Sequence, residues 1–423
     1  MLNLRLCGPI DPPFLRPAVL CTVLLLASCS GDDVAVNEHT FRVETGEDGV
    51  PTAVTSMVPK FDGLLMRYEE VVRLHQDEKR PESLLHQAYQ YMRGPDGNYY
   101  MMDRGNSRVA VFGPDGEYLR SFGREGDGPG EFRSPMLQSV DERGVMIYDS
   151  RSRRVVHFGL DGALRDTYSN PRISGTVLRM NLEGELLVVM GYRSERRPDM
   201  SGSTWYIMTV MTTAGDTLGS VASGQTFQPA PVRIEGGSMI GLREHYSPYA
   251  MITHCPGYGI LAEDGSSPEF VLYDFRCRPL KRFRLEMETR PVTEEDRETV
   301  RAYYRRRLEE EGEDERSRRL VEVELEHASF ADTMPFYQSL SMDRFGYFWV
   351  YPPGDLMTSD PDAVQRIRLL SPEGEYLGDV ELPRGLVGGS HPYLCTRTED
   401  PVTWDYDYIV YRLVSAVPGF TYP

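Results

Sequence analysis

The sequence predicts an all-β protein: small antiparallel sheets packed around one axis as a six-bladed β-propeller, closed by N- and C-terminal strands and carrying one helical insertion. Three observations predict it: an internal repeat with a 46-residue step, short β-type runs within each copy, and Asp-Gly pairs between the runs. The first copy reads Asp96 to Asp103, Arg108 to Phe112 and Asp115 to Phe122. The second reads Arg143 to Asp149, Arg154 to Phe158 and Asp161 to Leu164. Asp103 to Phe112 and Asp149 to Phe158 are the same nine-residue step, and Gly116 and Gly162 each follow four residues after the phenylalanine.

Runs of alternating polarity are what half-buried strands require. Asp-Gly supplies the positive-φ positions of tight hairpin turns. One small sheet cannot bury both its faces, so neighbouring copies must stack. A period in the forties with several strands per unit closes as a propeller.

The stretch from Val109 to Pro135 contains Phe122, Gly123, Gly126, Gly128, Gly130, Phe132 and Pro135 in the order FG-x-x-G-x-G-x-G-x-F-x-x-P. It resembles the linker of NHL repeats. The resemblance covers about 75 residues closely. It implies a structural, turn-bracing role for Asp103 with Arg108 and for Asp149 with Arg154. The layout also resembles a group of bacterial six-bladed propeller lipoproteins.

Five units are legible in order, at 85–124, 135–168, 173–222, 246–286 and 336–382. The sixth is expected to be shared between the ends: Glu69 to Leu74 as an outer strand, with Tyr393 to Arg397 and Tyr406 to Leu413 inside it. Such closure removes exposed edges. Seven blades is the alternative.

Residues 290–328 break the β pattern. Thr293-Glu294-Glu295-Asp296 reads as a capping box with Asp in the place of Glu or Gln. Val300, Tyr303, Tyr304 and Leu308 then recur at helical spacing, and Gly312 separates a second helix from Arg316 to Glu326. A helical pair here either docks on the disc through Tyr303 and Tyr304 or serves as a lid or partner-docking element. Arg305, Arg306 and Arg307 read as a solvated face paired with glutamates.

Ahead of the repeats, Arg5 and Arg16 form a basic region, and Ala18 to Ala27 an apolar stretch of ten. Ten residues are too few to span a bilayer, but they suit an export signal. Leu26-Ala27-Ser28-Cys29 resembles the lipobox of bacterial lipoproteins. The resemblance implies acylation at Cys29, anchorage to the lipid bilayer, and, with Ser30 and not Asp after the cysteine, the outer membrane. Stable anchorage takes more than one acyl chain. The expected organisation is a signal peptide over 1–28, acylated Cys29 and a tether over 29–40, and the propeller over 41–423.

The chain of 423 residues carries a net charge of −18, and losing Arg5, Arg16 and Asp11 with residues 1–28 leaves −19. Such a surface favours solubility and opposes nucleic acid. RNA-binding NHL propellers, by contrast, use basic faces. Cys255, Cys277 and Cys395 are the cysteines left beside Cys29 after processing. Cys255 and Cys277 are expected on alternate strands, about 10 Å apart, beyond the roughly 7 Å reach of a disulfide.

Two function classes follow. In the first, the protein is a monomeric binding module for a protein, peptide or glycan, without cofactor or metal, with Tyr246, Tyr249, Tyr351 and Trp404 as candidate anchors on the propeller face. In the second it is a metal-dependent lyase or hydrolase at the central channel. Gluconolactonase-like rings hold a divalent metal there, and amidating lyases add His and Tyr. The eight histidines show no ligand spacing; His245 and His254, near Tyr246, Tyr249 and Glu263, are the nearest to a cluster. No Gly-x-Ser-x-Gly elbow or P-loop is present. With no catalytic constellation in view, the binding module is the leading expectation.

Overall fold

Six four-stranded antiparallel blades surround one axis in the computed structural model. The structure describes residues 38–169, 177–229, 231–233, 239–242, 244–263, 265–309, 315–353, 365–383, 386–399 and 406–423. Blade 1 runs through Ala88–Arg93, Tyr99–Asp103, Arg108–Phe112 and Tyr118–Phe122, from the axis outward. Blade 2 uses Pro135–Asp141, Gly144–Asp149, Arg154–Phe158 and Leu164–Ser169. Blade 3 has Val177–Glu183, Leu186–Arg196, Gly202–Thr212 and Thr217–Gln228. Blade 4 has Met251–Cys255, Gly259–Glu263, Glu269–Tyr273 and Pro279–Glu286, and blade 5 Ser339–Met342, Phe348–Tyr351, Gln365–Leu370 and Tyr376–Leu382.

Blade 6 is shared between the ends. Met66–Leu74 is its outer strand, followed inward by Tyr406–Ser415, Tyr393–Glu399 and Leu386–Ser390. The outer three follow the sequence pattern. The innermost, Leu-Val-Gly-Gly-Ser, has two glycines and no alternation, which hid it.

Alternation itself holds only partly. Outer strands alternate, as Tyr118–Phe122 does, but Tyr99–Asp103 and Gly144–Asp149 are buried at every position. The reason is the ring: each blade packs a neighbour on both faces. Tyr99 and Met101 face blade 6, while Tyr100 and Met102 face blade 2. Each of the six junctions between successive blades holds a hydrophobic cluster of its own.

The N-terminal residues add a belt that the sequence pattern did not reveal. Phe41–Thr45 and Pro51–Ser56 form a hairpin whose second strand lies parallel to Pro279–Glu286, extending blade 4 to six strands. The chain then crosses the edge of blade 5, where Phe61 N donates to Leu377 O at 3.0 Å and Leu65 N to Asp379 O at 2.9 Å. It enters blade 6 next, so one segment covers three sheet edges that would otherwise be open. At the other end, Tyr422 donates its hydroxyl to buried Asp343 at 2.5 Å, beside the Trp349 Nε1 donor at 2.8 Å.

Two helices, α1 (Glu294–Glu309) and α2 (Glu315–Glu326), stand between blades 4 and 5. The capping box is formed: Asp296 N donates to Thr293 Oγ1 at 3.3 Å and Thr293 N to Asp296 Oδ2 at 2.8 Å. A bidentate pair with Arg290 holds the Asp296 carboxyl far below the usual carboxylate range. No helix among the described residues is long and apolar enough to cross a membrane.

Candidate functional site

Antiparallel order places the blade-to-blade connections and the turns between second and third strands on one face of the disc, here called the connector face. Blade 3 is built differently there. Its second and third strands have 11 residues each and its outer strand 12, against five or six in blades 1 and 2. The surplus length rises above the disc as a wall. Opposite it stands the insertion, on a stem in which Glu244–His245 pairs in parallel with Ser329–Phe330.

Between wall and insertion lies a cavity of about 1020 Å³. Phe227, Tyr246, Tyr249 and Tyr303 give it aromatic surface, and Arg196, Gln228, Glu244 and Gln338 give it polar groups. Tyr249 is 44% exposed. Its hydroxyl shares a 2.8 Å hydrogen bond with that of Tyr206. Burial, and then that bond, pushes the Tyr206 phenol well above its ordinary value. Tyr246 does two things: its ring lines the cavity and its hydroxyl donates to Asp296 O at 3.0 Å, fastening the first turn of α1.

The two adjacent tyrosines of α1 divide the roles that the sequence left open. Tyr304 docks the helix, buried with Val300 and Val321 and edge-on to the His245 ring at 5.7 Å. Tyr303 lines the cavity. His245 is 3% exposed, held between Tyr304 and Phe330.

A second cavity of about 240 Å³ adjoins the first, sharing Tyr249 and Met251, and follows the inner strands of blades 3 and 4. It is lined by Arg179, Asn181, Thr253 and His254 among others. The Asn181 amide meets His254 Nδ1 at 3.0 Å, and Glu183 Oε2 meets His254 Nε2 at 3.1 Å. These partners occupy opposite ring nitrogens, so no single ion can join His254 to both. His254 and His245 are not brought together, and Glu263 is buried in the strand opposite Met251.

Of the four candidate face aromatics, Tyr246 and Tyr249 line the larger cavity. Tyr351 is half-buried and packs against the cluster between blades 5 and 6. Trp404 and Cys29 lie outside the described residues. Phe227 and Tyr206 carry no signal for such a site, since nothing in their local sequence separates a wall residue from a core one.

The repeat residues hold turns and linkers together. Asp103 accepts from His86 N, Asn106 Nδ2 and Arg108 Nε, each at 2.8 Å. Asp149 accepts from Ser134 N at 3.0 Å, while Arg154 reaches the glycine-rich linker and donates to Asp127 O and Glu131 O. In that linker Gly123 has φ +85°, and a Cβ there would fall 2.3 Å from the buried Phe132 ring. Gly116 (φ +86°) passes so near the Arg73 carbonyl that a side chain would collide with it, and Gly162 (φ +84°) turns against Phe122. Cys255, Cys277 and Cys395 are all free thiols; burial pushes Cys255 and Cys395 up to about 12.

A family model described as "6-bladed beta-propeller" (DUF5128) matches residues 81–188, spanning blades 1 and 2 and the start of blade 3. The chain is a six-bladed β-propeller. Among solved structures it is similar to a predicted exported protein of Bacteroides fragilis, at 10% identity and a TM-score of 0.44, covering 86% of this chain and 100% of the other. It is also similar to a duf4221 family member from Bacteroides vulgatus, at 10% identity and TM-score 0.43, covering 83% and 98%. Virginiamycin B lyase from Staphylococcus aureus is similar at 9% identity and TM-score 0.33, covering 82% and 100%. No curated protein matches the sequence.

Proposed function

We propose that the protein is an exported, lipid-anchored binding module that takes a short peptide or oligosaccharide segment into the larger cavity of the connector face. The observation that carries this reading is the cavity itself. At about 1020 Å³ it lies at the upper end of the roughly 300–1,000 Å³ typical of ligand sites. Its walls combine exposed Tyr249 and the half-buried rings of Phe227, Tyr246 and Tyr303 with a few polar groups, the composition that suits stacking plus orientation. Both walls, the long blade 3 hairpin and the insertion, are additions to the basic blade, and the cavity lies between them.

The test is a screen of peptide and oligosaccharide arrays with the purified chain and two variants, Tyr249→Ala and Tyr303→Ala. A ligand class retained by the chain and lost by both variants supports the reading. Binding that both variants retain overturns it.

Anchorage is proposed at Cys29, through the lipobox-like Leu26-Ala27-Ser28-Cys29. Cys29→Ala should leave an unprocessed or soluble protein when expressed in a bacterial host with lipoprotein processing. Unchanged membrane fractionation and absence of metabolic fatty-acid labelling in the parent chain would contradict it.

A further inference from the structure

Many arginines of this acidic protein hold carboxylates. Arg67 pairs with Glu69, Arg73 with Glu70, Arg133 with Asp127 and Arg143 with Asp141. Arg179 differs. It is exposed on the inner strand of blade 3, it lines the smaller cavity, and among the described residues its guanidinium makes no hydrogen bond or ion pair. Arg104, in the turn between the second and third strands of blade 1, likewise has no carboxylate; its guanidinium lies 6.0 Å from the Tyr89 ring. Burial raises the Tyr89 phenol, and Arg104 and Arg179 both pull it back, so the two cations act on one hydroxyl of the innermost strand of blade 1.

In a chain with net charge −18, a guanidinium in a cavity with no carboxylate bound to it among the described residues is a point that attracts an anion. The smaller cavity adds neutral donors from the two strands that line it: the second N–H of the Asn181 amide in blade 3, beyond the one facing His254, and the Thr253 hydroxyl in blade 4. A guanidinium in a cavity that also holds an amide and a hydroxyl suits a carboxylate, which a planar donor fork can hold through two bonds. The cavity, about 240 Å³, is too small for a whole peptide or sugar chain and shares Tyr249 and Met251 with the larger one, so it suits one end group.

We infer that the smaller cavity receives a carboxylate of the ligand held in the larger cavity, with Arg179 as its counter-ion. The inference rests on the binding reading above and specifies its ligand as carboxylate-bearing. A peptide C-terminus and a uronic acid share this chemistry.

The experiment is titration calorimetry on the full chain with two matched pairs of probes. One is an N-acetylated Tyr-Pro-Ala tripeptide as free acid and as amide; the other is trigalacturonate and its methyl ester. The acid of one pair is expected to bind about tenfold or more tightly than its neutral partner, and the pair that shows this identifies the source. The preference should fade as salt rises from about 50 mM to about 500 mM. Arg179→Gln should abolish it, and Arg179→Lys should retain part of it. Because Arg179 is exposed, an unchanged melting temperature verifies that both variants fold. Tyr249→Ala should weaken acid and neutral probes alike.

Equal binding of acid and neutral forms, or a preference that survives Arg179→Gln, overturns the inference and leaves the larger cavity standing. An acid probe whose affinity is unchanged by Tyr249→Ala supports the carboxylate site and overturns the larger cavity as its neighbour. Binding of no probe at millimolar concentration overturns both.

Discussion

Phe132→Ala should destabilise the propeller by about 3–5 kcal/mol, the range for removing a fully buried phenylalanine. The ring is 0% exposed in the cluster between blades 1 and 2, with Val111, Leu137 and Ile147. Gly123 is what lets it in. An alanine there would put Cβ 2.3 Å from the ring and would hold a side chain at φ +85°. Gly123→Ala should therefore cost about 1 kcal/mol for the backbone and about 1–3 kcal/mol for overpacking. In the Phe132→Ala background only the backbone part should persist, so the double variant should be more stable than the sum of the singles predicts by about 1–3 kcal/mol. Urea unfolding followed by circular dichroism measures all four species. Additivity within about 0.5 kcal/mol, or a Phe132→Ala cost below about 1 kcal/mol, would refute the claim that the glycine-rich linker exists to seat this ring.

Three further outcomes are expected. The His391 ring stacks on Trp349 at 4.2 Å, its Nδ1 is enclosed with no hydrogen-bond partner among the described residues, and burial lowers its pKa to about 4. Below an unfolded value of about 6.5 the unfolded chain takes up a proton that the folded chain refuses. This stability is thus fully present above pH 6.5 and drains by about 2–3 kcal/mol as pH falls to 4; a His391→Gln variant with an equally steep acid loss would contradict it. Tyr422→Phe removes a buried hydrogen bond to Asp343 and should cost about 1.5–3 kcal/mol in the same urea assay, whereas a neutral result would mean the C-terminus is not clasped. Tyr304→Ala should speed hydrogen exchange across α1 and α2 at least about a hundredfold while blade amides keep their protection; an unchanged α1 would show that Tyr304 does not dock it.

How much of this was legible follows from where each residue stands. Blades 1 and 2 were readable because their Asp-Gly turns and linker glycines answer to backbone geometry, which sequence expresses directly. The capping box of α1 was readable for the same reason. The blade 3 wall was not: past Met190 the strand continues as Gly-Tyr-Arg-Ser-Glu-Arg, exposed from Tyr192 onward, so no apolar alternation marks it. Phe41–Thr45 is an exposed edge strand that lacks an alternating core pattern. The division of labour between Tyr303 and Tyr304 depends on how α1 is rotated on its stem, a tertiary fact that two identical neighbours cannot reveal. Arg179 looked like any other arginine until the fold showed no carboxylate paired with it among the described residues.

The central claim, that the connector-face cavity is the binding site, is tested most directly by hydrogen exchange with and without the ligand class recovered from the arrays. The account predicts ligand-dependent protection confined to residues 226–229, 244–251 and 300–304. Protection concentrated instead on turns of the opposite face, such as 113–117 and 159–163, would contradict it.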